Sequence, residues 1–315
     1  MHVHQDLTLL PEFTRAVVTI GTFDGVHLGH RQIIAQMQEV ARKEAGETVI
    51  ITFHPHPRSV VRDNKGSVRL LTTMPERIRL LEALGIDHLV VIPFTESFAS
   101  QEASAYIRDF LVKYFRPHTI IIGYDHRFGR GRSGDYQLLE ACAPLYGYRV
   151  LEIDATLLKE LSISSTRIRE ALTRGDAGEA TALLGYPYFF EGRVVTGDQR
   201  GRTIGFPTAN IDLTDPGKLL PGRGVYAVRA MVLEGNFAGK ILDGMMNIGT
   251  RPTVDGLSER TEIHFFDFSG DLYGSLMRVS LFGHIREERK FSGLDLLRAQ
   301  LASDQDAALR ILSEK

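Results

Sequence analysis

Cysteine is nearly absent from this sequence and tryptophan wholly so: Cys142 stands alone among 315 residues. One cysteine excludes an internal disulfide and a multi-cysteine metal cluster. It lies in the helical-looking run Leu138 to Ala143 and is expected to serve as small core packing. Without tryptophan, stacking on any large flat ligand falls to phenylalanine or tyrosine. An excess of either charge is also missing. The 37 basic and 39 acidic residues leave a net charge of −2, which argues against a protein built mainly to hold nucleic acid. No apolar run approaches the roughly 20 residues of a membrane helix. Met1 to Asp6 is polar and does not read as a signal peptide, so a cytoplasmic address is expected. No internal repeat or low-complexity tract interrupts the chain. What remains is an ordinary globular composition, 43% hydrophobic and 24% charged, at a length that suits two domains.

Residues 16 to 184 alternate two kinds of segment. Continuous β-branched and apolar runs predict strands at 16–20, 48–53, 88–93, 119–123 and 148–153. Between them, apolar residues at helical spacing predict helices. Examples are Ile33, Ile34, Met37, Val40 and Ala41 in 30–46, and Ile78, Leu81 and Leu84 in 75–85. Further helices are expected at 104–115, 136–143 and 177–184. Buried strands separated by amphipathic helices make a parallel sheet covered on both faces, an α/β architecture. Ligands bind such sheets at the carboxyl ends of the strands, and the unusual residues of this half fall there.

The first such end is Gly21-Thr22-Phe23-Asp24-Gly25-Val26-His27-Leu28-Gly29-His30. A glycine-rich turn between strand and helix lets backbone N–H groups approach a phosphate, and the helix N-terminus adds positive partial charge. The stretch lacks the Walker lysine and the dinucleotide glycine spacing. It has His27 and His30 instead, spaced to face the same way as the helix begins. The other ends carry His54-Pro55-His56-Pro57, an arginine-glycine loop from Gly123 to Asp135, and Ser164-Ser165-Thr166-Arg167-Ile168-Arg169 opening a helix. Each has a plain structural alternative: a stiff proline connection, a solvated turn, a helix cap. A capped helix start with Arg167 and Arg169 is also a good phosphate site. Four polar loops at one sheet edge together favour a nucleotide-phosphate site.

From Tyr188 the pattern changes to shorter strands divided by glycine and proline turns. The boundary is placed at Gly185-Tyr186-Pro187, giving domains 1–185 and 186–315. Strand-like runs at 189–195, 224–232, 240–249, 262–267 and 277–282 predict a small antiparallel barrel of five or six strands. A closing helix follows, with a stripe of Leu294, Leu297 and Leu301 and further apolar residues at Leu309 and Leu312. Gly197, Gly201 and Gly205 alternate with arginines before a Pro207-Thr208-Ala209-Asn210 turn. Oxygens of Thr208 and Asn210 suit Mg²⁺, a hard cation that shares phosphate oxygens; an arginine-rich hairpin loop is the alternative. Glu262 sits among apolar neighbours, where it either faces away from them or is a poised base.

These stretches carry a specific resemblance. Thr22 to His30 resembles the H-x-G-H signature of ATP-binding nucleotidyltransferases. Phe53-His54-Pro55-His56-Pro57 resembles the F-x-P-H-P motif of FAD synthetase modules. Gly123 to Gly129 resembles their G-x-N/D-F-R-F-G motif, and Ser164 to Arg169 their S-S-T-x-I-R motif. Gly205-Phe206-Pro207-Thr208-Ala209-Asn210 is similar to the G-F-P-T-A-N motif of riboflavin kinases. Pro221 to Ala227 and Met246 to Thr253 look like further kinase motifs, and Glu262 matches the glutamate of E-x-H. The motifs span Gly21 to Phe268, and the chain resembles the bacterial bifunctional riboflavin kinase/FAD synthetases. Two positions depart: His54 stands where the family often has an acid, and His126 replaces the usual aromatic residue.

The resemblance implies a Rossmann-like nucleotidyltransferase domain in 1–185 and a riboflavin kinase barrel in 186–315. It implies phosphorylation of riboflavin to FMN by the second domain and adenylylation of FMN to FAD, with release of pyrophosphate, by the first. Glu262 would be the kinase base. Thr208 and Asn210 would hold Mg²⁺ and ATP, with Gly197, Gly201, Gly205 and Asn247 also on the nucleotide. In the first domain, Gly21, Phe23, Asp24, Gly25, His27, Gly29, His30, Asp125, Ser165, Thr166 and Arg169 would bind a second ATP, with His27 and His30 catalytic. Phe53, Pro55, His56, Pro57 and Arg127 would face the flavin. Riboflavin, FMN, FAD and ATP are then substrates or products. No nucleic acid or membrane partner is expected, and at most a weak or transient homo-oligomer. Three rivals compete. Another adenylyltransferase of the same motif class leaves 188–315 unexplained. A nucleic-acid-binding protein is disfavoured by the charge balance. A riboflavin kinase with a degenerate, non-catalytic first domain stays open through His54 and His126.

Overall fold

The computed structural model describes residues 1–61, 68–123, 126–153, 163–197, 201, 204–253 and 256–314. They divide by contact into two compact units, Met1–Ser165 and Thr166–Lys315.

The first unit holds strands β1 (His2–His4), β2 (Val17–Ile20), β3 (Thr48–His54), β4 (His88–Pro93), β5 (Thr119–Gly123) and β6 (Arg149–Ile153). They form a six-stranded sheet in the order β1-β4-β3-β2-β5-β6, parallel throughout. Successive residues of a strand point to opposite faces, and two apolar clusters result. Val18, Ile20, Val49 and Ile51 enter one. Val17 and Ile50 enter the other, against Ile34, Met37 and Ala41 of helix α1 (Leu28–Glu44). Cys142 packs at the margin of the first cluster, as a small apolar filler. Strand β1 gives no sign of itself in the sequence, because His2-Val3-His4 is short and polar. It is held by parallel pairing with β4.

The segment 103–115 departs from a plain α-helix. It winds as a π-helix over Tyr106–Val112. Its apolar residues Tyr106, Ile107, Phe110 and Leu111 face the core. All four side chains are buried.

Strand order fixes where a ligand can bind. From β2 the chain builds outward through β3 and β4, then returns to place β5 on the other side of β2. The switch point therefore lies between β2 and β5, and open α/β sheets bind ligands in that crevice. The two loops that leave these strands are the histidine turn and the loop from Gly123.

The second unit begins within the helix Ser165–Thr173, which the helix Ala177–Leu184 follows. Strands β7 (Phe189–Val195), β8 (Ala209–Leu213), β9 (Gly224–Glu234), β10 (Ile241–Thr253), β11 (Gly256–Phe265) and β12 (Leu276–Arg286) then close a barrel in the order β10-β11-β8-β7-β12-β9, antiparallel at each neighbouring pair. The terminal helix (Leu294–Ser313) packs Leu301, Ala308 and Leu312 against Ala227, Met245 and Phe266. Asp304, buried in that helix, accepts hydrogen bonds from Arg286 of β12 and from Gln300. The expected leucine stripe is shortened: Leu294 is exposed, and Leu297 is half-buried.

Candidate active sites

The turn after β2 coils tightly. Phe23, Gly25 and Val26 all have positive φ, at 47°, 86° and 38°. Two of these are non-glycine residues in a region that L side chains avoid. Burial holds them there, since Phe23 and Val26 both enter the apolar cluster under α1. Asp24 is the second anchor. Its fully buried carboxylate accepts from the Leu71 N–H at 3.1 Å, the Thr72 N–H at 2.9 Å and the Thr72 hydroxyl at 3.2 Å. Arg77, itself 3% exposed, donates to the same carboxylate at 3.4 Å and to the Thr72 carbonyl at 3.2 Å. Thr72 in turn accepts the Gly25 N–H through its hydroxyl at 3.0 Å. The Asp24 carboxylate thus faces inward and shapes the turn. The Ser165 hydroxyl donates to the Asp24 backbone carbonyl at 3.1 Å. Thr166 and Arg169 follow on the helix that Ser165 opens.

The histidines occupy the exit of the turn. His27 is the N-cap of α1 and its Nδ1 accepts from the His30 N–H at 3.3 Å. A neutral His27 therefore carries its proton on Nε2. The two rings stack with centroids 3.6 Å apart and 15° between planes, while Phe23 lies 4.9 Å from His30 on another side. His30 Nδ1 is buried with no hydrogen-bond partner. Burial, then His27, then Arg77 hold the His30 imidazole well below its ordinary pKa. A neutral His30 with Nδ1 unprotonated again presents an Nε2–H donor. Both rings are then donors suited to phosphate oxygens.

Arg77 gives this electrostatics a test. Around His30 lie His27 and Phe23 of the turn and the Arg77 guanidinium, which is ion-paired with Asp24. Arg77→Met removes a cation and leaves the Asp24 anion, and both changes raise the pKa of a histidine nearby. The acid limb of kcat/KM for any reaction that uses a neutral His30 is therefore expected to move to higher pH. A pH–rate profile of the variant beside wild type measures it.

Phe53 is buried in an aromatic cluster rather than exposed at the strand end. Phe94 and Phe98 lie 5.3 and 5.8 Å from it. Phe98 is 5.8 Å from Tyr106, and Tyr106 is 5.0 Å from Phe128 of the loop after β5. These rings join the ends of β3 and β5, which flank β2; from the sequence Tyr106 reads only as an apolar residue of the 104–115 helix, and Phe94 and Phe98 carry no signal beyond the missing tryptophan. The His126 ring lies 5.9 Å from that of Phe128 at 30°. Pro55 is exposed, and His56 and Pro57 are half-buried. His56 Nδ1 accepts from the Arg58 N–H at 3.1 Å. Arg127 forms an ion pair with Asp135 at 2.9 Å, and Asp135 caps the following helix. Asp125 lies outside the described residues.

In the barrel, register assembles the second set. Asn210 of β8 pairs with Glu262 of β11, and Glu262 pairs with Asn247 of β10. Directly opposed residues share a face of the sheet, so two carboxamides flank one carboxylate. The Glu262 side chain is 34% exposed, accessible to a substrate, and lies 3.7 Å from Arg260. Thr208 precedes β8 and is half-buried. Gly197 is required by close approach: a Cβ there would strike the Asn210 carboxamide nitrogen. Gly201 accepts from the Phe206 N–H at 2.9 Å and closes the loop. Gly205 takes φ +85° at an exposed turn. Among the described residues, no group of three or more His, Cys, Asp or Glu could hold a metal ion. The hydroxyl of Thr208 and the carboxamide of Asn210 fit a different kind of site, one where Mg²⁺ takes few protein oxygens and completes its shell with phosphate and water.

Known proteins share both halves. The family described as FAD synthetase matches residues 10–167, and the family described as riboflavin kinase matches residues 184–312. A bifunctional riboflavin kinase/FMN adenylyltransferase of Escherichia coli (strain K12) is 41% identical over 289 residues, covering 92% of this chain and 90% of that protein. One from Bacillus subtilis (strain 168) is 35% identical over 318 residues, covering 98% and 96%. A crystal structure described as a macrolide-efflux protein from Streptococcus pneumoniae has a TM-score of 0.86 at 30% identity over 98% of each chain. In the chain described above, no helix among the described residues is long and apolar enough to cross a membrane. Sheet, barrel and both motif sets define a two-module transferase. The chain belongs to the bifunctional riboflavin kinase/FMN adenylyltransferase family.

Proposed function

We propose that this chain makes FAD from riboflavin in two ATP-dependent steps. In the first, Glu262 takes the proton of the ribityl 5′-hydroxyl as that oxygen attacks the γ-phosphorus of ATP. The new P–O bond gives FMN, and the bond to the β-phosphate oxygen breaks to release ADP. Thr208 and Asn210 are assigned to Mg²⁺ and ATP, with Asn247, Gly197, Gly201 and Gly205 on the nucleotide. Mg²⁺, when bound, supplies charge neutralisation on the phosphates. In the second step a phosphate oxygen of FMN attacks the α-phosphorus of another ATP, and pyrophosphate leaves. His27 and His30 donate hydrogen bonds to the phosphates as charge shifts onto the leaving group. Gly21, Gly25 and Gly29 keep backbone close to that nucleotide. Phe23 and Asp24 shape the turn, and Asp125, Ser165, Thr166 and Arg169 are assigned to the same ATP. Phe53, Pro55, His56, Pro57 and Arg127 are assigned to the flavin side, Phe53 through the aromatic cluster it anchors. The division of labour follows residues 1–185 and 186–315.

What carries this reading is that the proposed reacting groups of the two steps lie in different units. The stacked histidine pair forms within the first unit, and the Asn210–Glu262–Asn247 row within the second. The match to FAD synthetase over residues 10–167 gives no support to a degenerate first domain. We place the protein in the cytoplasm, with small molecules as its partners and at most weak or transient self-association. The test is incubation with riboflavin, Mg²⁺ and ATP, followed by chromatography of the flavins. FMN followed by FAD is expected. FMN alone would remove the adenylylation step, and no flavin product would overturn both.

A further inference from the structure

We propose that His264 is a positioning residue of the kinase site, holding the segment before β8 so that Thr208 and Asn210 stand beside Glu262. The inference rests on the kinase reading of the barrel given above. It starts from where a ladder stops. Strand β8 begins at Ala209, and its pairing with β11 consists of Ile263↔Ala209 and Asn210↔Glu262. The next residue back along β8 is Thr208, then Pro207, running beside His264 and Phe265. Proline has no N–H to donate and interrupts a regular ladder. Its carbonyl oxygen still needs a donor.

His264 supplies that donor from its side chain. Its Nδ1 lies 2.8 Å from the Pro207 carbonyl oxygen. A carbonyl only accepts, so Nδ1 carries the proton, in the neutral and the charged ring alike. Residues two apart on a strand share a face, which puts His264 beside Glu262 on β11. One strand thus presents the proposed base and, two residues on, the group that pins the opposing turn. The ring also packs. Phe206 lies 5.1 Å away at 63°, and Phe266 5.9 Å away at 66°. His264 therefore does two separable things: it fills space between two phenylalanines, and it holds one carbonyl.

A pair of substitutions divides those two. His264→Phe keeps an aromatic ring and removes the N–H. His264→Asn removes the ring and keeps an N–H near the position of Nδ1. If holding Pro207 is what matters, the Phe variant loses kcat for FMN formation by about 10- to 100-fold, the scale set by small misplacements of reacting groups. Its KM for Mg²⁺-ATP then rises more than its KM for riboflavin, because Thr208 and Asn210 serve the nucleotide. The Asn variant stays close to wild type. FAD formation from supplied FMN and the thermal midpoint report on folding, and both are expected to hold in each variant. Full kinase activity in His264→Phe would overturn the proposal. So would an Asn variant as impaired as the Phe variant, since that assigns the role to packing. A wild-type chain that makes no FMN would instead overturn the kinase reading beneath it.

Discussion

Glu262→Gln is expected to lower FMN formation by about 10²- to 10⁴-fold, the usual contribution of a general base, while FAD formation from supplied FMN stays unchanged. Glutamine preserves the size and strand position of the side chain and removes only its capacity to take a proton. The cross-strand row with Asn210 and Asn247 is set by backbone register, which the substitution does not disturb. Phosphoryl transfer otherwise depends on positioning and charge neutralisation, so the residual rate measures what the rest of the site contributes without a base. The measurement is single-turnover FMN formation, with adenylylation of added FMN as the control in the same preparation. Undiminished phosphorylation would remove Glu262 from its role. Loss of both activities in a folded chain would show that the two reactions do not use separate sites.

How far the sequence disclosed this row depends on the strand. Glu262 alone was ambiguous, because an acid in an apolar run either faces outward or is poised for chemistry. Its cross-strand partners, Asn210 of β8 and Asn247 of β10, show which face it shares. Strand β8 gives little strand signal in the sequence because Ala209–Leu213 is five residues long and carries Asn210 and Asp212 among its apolar positions. The motif residues were visible, but not the strand that aligns them. In the first unit β2, β3, β4 and β5 were legible because each is a nearly continuous apolar run buried in the sheet. Strand β1 was not, since its stability comes from pairing with β4 rather than from its own side chains. The histidine pair could be read from spacing, whereas its supports could not. Thr72 and Arg77 are distant in sequence from Asp24 and look like ordinary helix-start residues. Their role exists only once the chain has folded, when a buried carboxylate needs donors.

The stacked histidines carry the other large effect. His30→Ala is expected to lower FAD formation from FMN by about 10²- to 10³-fold, the range for losing one preorganised donor to developing charge, with riboflavin phosphorylation intact. His27→Ala is a less clean experiment, since His27 also caps α1 and loss of a cap costs roughly 0.5–2 kcal/mol of stability. His27→Asn separates the two functions. Asparagine is among the best N-cap residues, so it keeps the acceptor for the His30 N–H while removing the ring and its Nε2 donor. If the ring acts on phosphate, His27→Asn loses adenylylation and keeps its thermal midpoint. If capping is its whole contribution, His27→Asn is as active as wild type. The same logic bears on His30, whose Nδ1 is buried without a partner: truncation there removes no hydrogen bond that Nδ1 makes in the folded chain. A large fall in rate with little change in stability is therefore the signature of a catalytic ring, and an active His30→Ala protein would sink the assignment.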